Sequence, residues 1–407
     1  MMKNHARKTG ILVSALTTLL PMAAHADFVA DSSLKLDLRN FYLDRTYSGS
    51  TDAVGSWSQG FDLQYTSGYT STPIAVGLDA SGQFAAKLDG EGNDGSLPYN
   101  TADQDTADTY SRAGVTAKFK YSKTELKVGD FRPHLPIAFD DTSRQLDTIY
   151  EGAVIESREV DKLNLTAGRF WQAVTRQSSD KEDFYLWGTN GSLRSDGLDF
   201  AGATYDFTPG LQGSYFIGIL NDIYKQQYLG FTYKTKLGNV GSATDVRYFK
   251  NEEDGDAFYG DIDNRAFGVK SALMTGGHMV ALSYQKMNGD SIFPTLNGYV
   301  PQPYLVNWSS VAFVRPDERS IGLTYAYDFK DSLPGFKVLA RYIKGTDVDV
   351  GTETNASESE KNLYLTYTLQ EGSLKGLTFD LRNIRVGKSF AADYNEYRFT
   401  TTYTVNF

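Results

Sequence analysis

Basic side chains recur at alternating positions in short segments that switch between apolar and polar residues: Lys35, Arg39, Arg112, Lys118, Arg158, Arg341, Arg382 and Arg398. A guanidinium stays protonated at any workable pH and offers a planar fork of donors that matches a carboxylate by two-point contact. Several such groups along one wall can hand an anion onward, provided each site binds weakly enough to release it. The competing reading is a solvated polar wall in which these cations pair with Asp37, Asp62, Glu156 or Asp380. Material for an enzyme is scarce. Beyond residue 26 only His134 and His278 could serve as a histidine base, and there is no cysteine for a thiolate metal site or nucleophile. The acidic stretch Asn251–Asn264 has oxygen ligands for Ca²⁺ but not EF-hand spacing, so a solvated loop is the preferred reading and no metal or cofactor is assigned.

The elements that carry these residues read as strands of period two. At the carboxyl end, Tyr397, Phe399, Thr401, Tyr403, Val405 and Phe407 share one face, and Arg398, Thr400, Thr402, Thr404 and Asn406 share the other. The same split sets Leu34, Leu36 and Leu38 against Lys35, Asp37 and Arg39. A half-buried sandwich strand alternates too. About eighteen such segments are separated alternately by short turns, such as Gly276-Gly277, and longer polar loops, such as Gly90–Thr106 and Thr175–Ser195. That asymmetry predicts an all-β fold: a closed transmembrane antiparallel β-barrel of about 18 strands with an aqueous channel, lipid outside and water inside.

The amino terminus agrees. Lys3, Arg7 and Lys8 precede an apolar run from Gly10 to Met22, and Ala24-His25-Ala26 supplies the small residues a signal peptidase accepts. We expect a signal peptide at 1–26 and a single barrel domain at 27–407. The apolar run is too short for a membrane-spanning helix. Loss of the leader would take the net charge from -10 to about -13, and so acidic a chain is a poor partner for nucleic acid. The 27 Tyr, 24 Phe and 38 Gly with only 41% hydrophobic residues fit a wall in which every second residue faces lipid.

Several stretches, in order, resemble the OprD-type family of substrate-specific outer-membrane porins: Ser32–Arg45, Trp57–Thr70, Tyr110–Asp130, Asn221–Gly230 and the PYLVN run at Pro303–Asn307. The resemblance implies an eighteen-stranded monomeric or weakly associated barrel, inward-folded extracellular loops, and a basic row guiding carboxylate-bearing solutes. The PYLVN run and the LP-containing third loop look like the branch favouring aromatic and other hydrophobic carboxylates, with the branch for basic amino acids as the alternative and a general diffusion porin as a further one. Such a protein would also meet outer-membrane lipid, lipopolysaccharide and the barrel-assembly machinery, which recognises a terminal aromatic such as Phe407.

By parity, Arg39, Arg158, Arg341, Arg382 and Arg398 are the expected lumen row. Taking roughly 2.5 Å of climb per residue along a tilted strand, Arg39 and Arg382 are expected near mid-height and Arg398 somewhat above them. Asp380 departs from the fuller basic row of the family, so the row here is expected to be shorter. Two loops are expected to narrow the pore. One holds Arg132, Pro133, His134, Leu135 and Pro136, whose prolines forbid regular pairing. The other, Asp290–Glu318, carries Tyr304 and Asn307 and is long and apolar enough to need a surface to pack on.

Overall fold

The computed structural model describes residues 25–49, 51–297, 302–353 and 355–407. Of the expected signal peptide, residues 1–24 lie outside the described residues. A six-residue helix, His25–Ala30, crosses the expected cleavage point and leads into the first strand.

Eighteen antiparallel strands make one sheet, and it closes on itself. The first strand, Ser33–Tyr47, pairs with Val54–Thr66 on one side and with the last, Tyr394–Asn406, on the other. Closure is what a lipid surround demands, since an open edge would leave peptide groups without partners in hydrocarbon. The outward parity is apolar as expected: Leu229, Phe231, Tyr233, Val280, Leu282, Leu363, Tyr397 and Phe399 are all exposed on the barrel's outer face. At one end the strands join through connections of two to nine residues, the shortest of them tight turns. Thr275 and His278 close the two-residue turn Gly276-Gly277, whose φ angles of 53° and 86° are open to glycine at no steric cost. At the other end run the long connections 92–108, 132–148, 175–197 and 289–318.

Loops fold into the interior and pack against the barrel wall. The inward side chains Tyr150, Phe170, Phe200, Phe216, Tyr228 and Phe249 of the wall form a buried hydrophobic cluster with Phe293, Leu296 and Leu305 of the loop 289–318. Ring centroids of Phe170 and Phe200 lie 4.9 Å apart, and those of Phe249 and Phe293 5.1 Å apart. Ordering a loop costs about 1–2 kcal/mol per residue in backbone entropy. Burying aromatic and aliphatic side chains at about 1.5–3 kcal/mol each offsets part of that cost. Two glycines on the inward parity let the loops come close: a methyl added at Gly218 would stand 2.9 Å from Ile137, and one at Gly268 would stand 2.9 Å from Val306.

Candidate functional site

The two expected constriction loops fold into the lumen and meet there. The segment with the prolines is not wholly irregular. His134-Leu135 and Ala138-Phe139 form a two-rung ladder with Pro136 and Ile137 at its turn, so the prolines flank the pairing rather than prevent it. Tyr304 donates its hydroxyl to the His134 carbonyl at 2.9 Å, and the Gln302 amide donates to the Pro136 carbonyl at 2.7 Å. Arg132 reaches back to the wall, 2.7 Å from Asp62, and lies 3.6 Å from Asp147 of its own loop. Arg132, Pro133, Leu135, Pro136 and Tyr304 then line one cavity of about 600 Å³, together with Phe131, Phe170 and Arg247. Asn307 is not among them. Its amide is buried, donating to Ser320 and accepting from Ser283 at 2.6 Å, so it anchors the loop to the wall.

Nearer the long-loop end, a second cavity of about 580 Å³ is lined by six arginines, Arg45, Arg144, Arg176, Arg341, Arg382 and Arg398, with Trp187, Trp308, Tyr364 and Tyr394 between them. Arg382 and Arg398 are direct partners across the ladder between the last two strands. The buried Glu396 carboxylate clamps both Arg45 and Arg398. Asp380 lies 2.5 Å from the Arg382 Nε, and the Arg382 guanidinium stacks 4.8 Å over the Tyr364 ring. Arg341 donates to Asn362 at 3.0 Å and to the Ser309 hydroxyl. Asp141 holds Arg176 at 2.7 Å.

Most of these cations therefore have a counterion, of which only Asp380 is among those the polar-wall reading named. The carboxylates of Glu396, Asp141 and Glu360 are fully buried, whereas the Arg382 side chain is 40% exposed. Arg144 comes from the loop 132–148 and donates to the carbonyls of Ser143 and Asp94. Among the described residues it has no carboxylate partner. Burial, followed by the neighbouring Arg398 and Arg176, pulls its pKa down to about 9, so it remains charged at neutral pH. The chamber can accept a carboxylate by forked donation and stack a planar body on aromatic rings.

Of the five arginines expected in one row, Arg341, Arg382 and Arg398 come together and two do not. Arg39 faces Thr402 in the register, four residues along the last strand from Arg398, roughly 10 Å nearer the tight turns. There it lines a smaller cavity of about 230 Å³, 3.1 Å from Asp147 and donating to the Arg144 carbonyl at 2.6 Å. The expected heights fail because neighbouring strands of a tilted barrel are staggered, so a residue's distance from its own strand end does not give its level. Arg158 lies one residue past the strand Ile149–Ser157, in the turn, 68% exposed and 3.7 Å from Glu156. Arg112 is a scaffold residue: it donates to the Thr175 carbonyl at 2.7 Å and to Gln83 at 2.6 Å, holding loops in place. Arg45 sits on the inward parity and was legible there; Arg144 and Arg176 lie on loops, where no periodicity points inward.

A closed eighteen-stranded barrel with an apolar belt and folded-in loops defines an outer-membrane channel of a Gram-negative bacterium. The model of the family described as outer membrane porin, OprD family, matches residues 26–407, and the chain belongs to that family. It is 33% identical to the porin-like protein GalP of Pseudomonas putida, over 96% of each chain. Among solved structures it is similar to Pseudomonas aeruginosa OpdL, at 41% identity and a TM-score of 0.85, covering 93% of this chain and 99% of that one. It is also similar to Pseudomonas aeruginosa OpdK solved with vanillate, at 33% identity and a TM-score of 0.89, covering 93% and 100%. As a porin it is a channel and not an enzyme.

Proposed function

We propose that this porin conducts small carboxylate-bearing solutes, aromatic or other monocarboxylates, through the arginine-lined chamber. The observation that carries the reading is six guanidiniums around one cavity with Trp187, Trp308, Tyr364 and Tyr394 among them. Cations inside low-dielectric walls raise the local concentration of anions, and their buried counterions temper the binding so that solute can leave. The vanillate of the OpdK structure is a solute of this class.

Purified protein in planar bilayers tests the reading against a panel of aromatic monocarboxylates, dicarboxylates, basic amino acids and neutral sugars. Monocarboxylates should interrupt the current at the lowest concentrations. Preference for basic amino acids would move the chain to the other branch of substrates, and indifference to the whole panel would make it a general diffusion pore. We further propose that the leader is removed after Ala26; a mature chain beginning at another residue, read by intact mass, would overturn that boundary.

A further inference from the structure

Beside the arginine chamber lies a cavity of about 630 Å³ with a different lining. Trp187, Ile292, Phe293, Val311 and Phe313 supply an apolar wall, and Arg315, Glu358 and Lys388 are among the charged groups that complete the lining. Trp187 and Ile292 are 36% and 43% exposed, yet they sit on inward loops rather than on the lipid-facing parity of a strand. Large apolar side chains this exposed on loops, off the lipid-facing face of the wall, are the feature to be explained.

The wall is built, not incidental. The loops 175–197 and 289–318 are stitched by main-chain bonds: the Trp187 amide donates to the Thr295 carbonyl at 2.9 Å, and Leu186 and Leu296 form an isolated bridge. The Phe293 amide donates to the Val314 carbonyl at 3.1 Å, which closes the same loop on itself. The two cavities share Trp187 and Ser310. Ser310 is the boundary: its hydroxyl lies 3.4 Å from the Arg398 guanidinium, while the next residue, Val311, belongs to the apolar wall.

We propose that the two cavities form one amphiphilic site, in which the chamber takes the carboxylate and the outer apolar pocket takes the hydrocarbon body of the same solute, with Trp187 setting the preference for apolar bodies. This rests on the carboxylate reading above and adds to it a rule for the rest of the molecule. Carboxylates of growing apolar length engage the channel more strongly, since each buried methylene removes surface from water. The gain per methylene is about two- to fourfold in apparent affinity, the upper figure being full burial. A short acid such as acetate uses the chamber alone.

The test is current block of the reconstituted full-length porin by straight-chain alkanoates from acetate to octanoate, with the matching neutral alkanols alongside. The wild type should show block that tightens with chain length. Ile292→Ser and Trp187→Ala should each flatten that dependence to less than twofold over the whole series, and Trp187→Phe should restore most of it. Ile292→Ser should leave block by acetate unchanged. Arg398→Gln should weaken every alkanoate by a similar factor and keep the length dependence. Length dependence that survives both Ile292→Ser and Trp187→Ala overturns the two-part site while leaving the carboxylate reading intact. Acetate block that ignores Arg398→Gln, with alkanols and alkanoates behaving alike, overturns the carboxylate reading instead.

Discussion

The Tyr304 hydroxyl lies 2.9 Å from the His134 carbonyl, a bond between two loops 170 positions apart in the chain. With the bond from Gln302 to the Pro136 carbonyl it ties the loop 289–318 to the loop 132–148 inside the barrel. Each such bond contributes about 0.5–1.5 kcal/mol. The double variant Tyr304→Phe with Gln302→Ala should therefore keep a folded barrel, with larger single-channel conductance and more frequent current fluctuations. Wild-type conductance from the double variant would mean that packing of Phe293, Leu296 and Leu305 alone holds the loops.

On the proposed reading, the paired arginines set the ion selectivity. Replacing Arg382 and Arg398 together with Gln removes two charges from a cavity whose Glu396 remains clamped by Arg45. The zero-current potential in a salt gradient should shift toward cations, and carboxylate flux into liposomes should slow while neutral sugars are little affected. Screening shortens from about 10 Å at 0.1 M salt to about 3 Å at 1 M, so the shift should shrink as salt rises. Arg39→Gln should do less, because Arg39 lies in another cavity beside Asp147. Equal effects from Arg39→Gln and the double variant would argue for a diffuse basic wall.

A buried carboxyl at the foot of the loop 289–318 supplies a pH dependence. Glu318 is 1% exposed, accepts from the Arg315 amide at 3.2 Å and neighbours Glu358, which in turn pairs with Lys388 at 3.6 Å. Burial first, and the Glu358 charge second, push the Glu318 pKa up to about 9. For a carboxyl raised in the folded state, the stabilisation is fully present below the unfolded value near 4.5 and is lost as pH rises through about 9. Current noise should therefore grow as pH is raised through that range, and Glu318→Gln should be flat across it. Noise with the same pH dependence in Glu318→Gln would assign the effect to another group.

Assembly should depend on the last residue more than stability does. Phe407 is 73% exposed and its amide donates to the Leu34 carbonyl at 3.0 Å, a bond that any side chain leaves in place. Phe407→Ser should lower the yield of folded barrel in the outer membrane, while the barrel that does fold melts within a few degrees of wild type. Normal yield would show that the assembly machinery reads another part of the closing strand.

How much was legible in advance differs sharply between wall and interior. The alternation of Tyr397, Phe399 and Tyr403 against Arg398, Thr400 and Thr402 is enough to separate lipid face from lumen face, because the strand's period of two is set by backbone geometry. Eighteen such segments, with tight turns and long loops in alternation, required a closed barrel once lipid was the solvent. The loop carrying Arg132 and Tyr304's loop were also identifiable from proline and length, as segments that must pack somewhere. What alternation could not supply was level and partner. That Arg382 faces Arg398, and that Arg39 falls four residues away, comes from the stagger of neighbouring strands, a property of closure that no single strand encodes. Arg144 and Arg176 reach the chamber on loops whose path is chosen by where their apolar residues find a seat, as Ile137 does against Gly218 and Val306 against Gly268. The sequence by itself therefore determined the barrel and the face to which side chains within its strands point, through local periodicity. Only the tertiary structure decided which of them share a cavity, because that depends on shear and on loop packing between residues far apart in the chain.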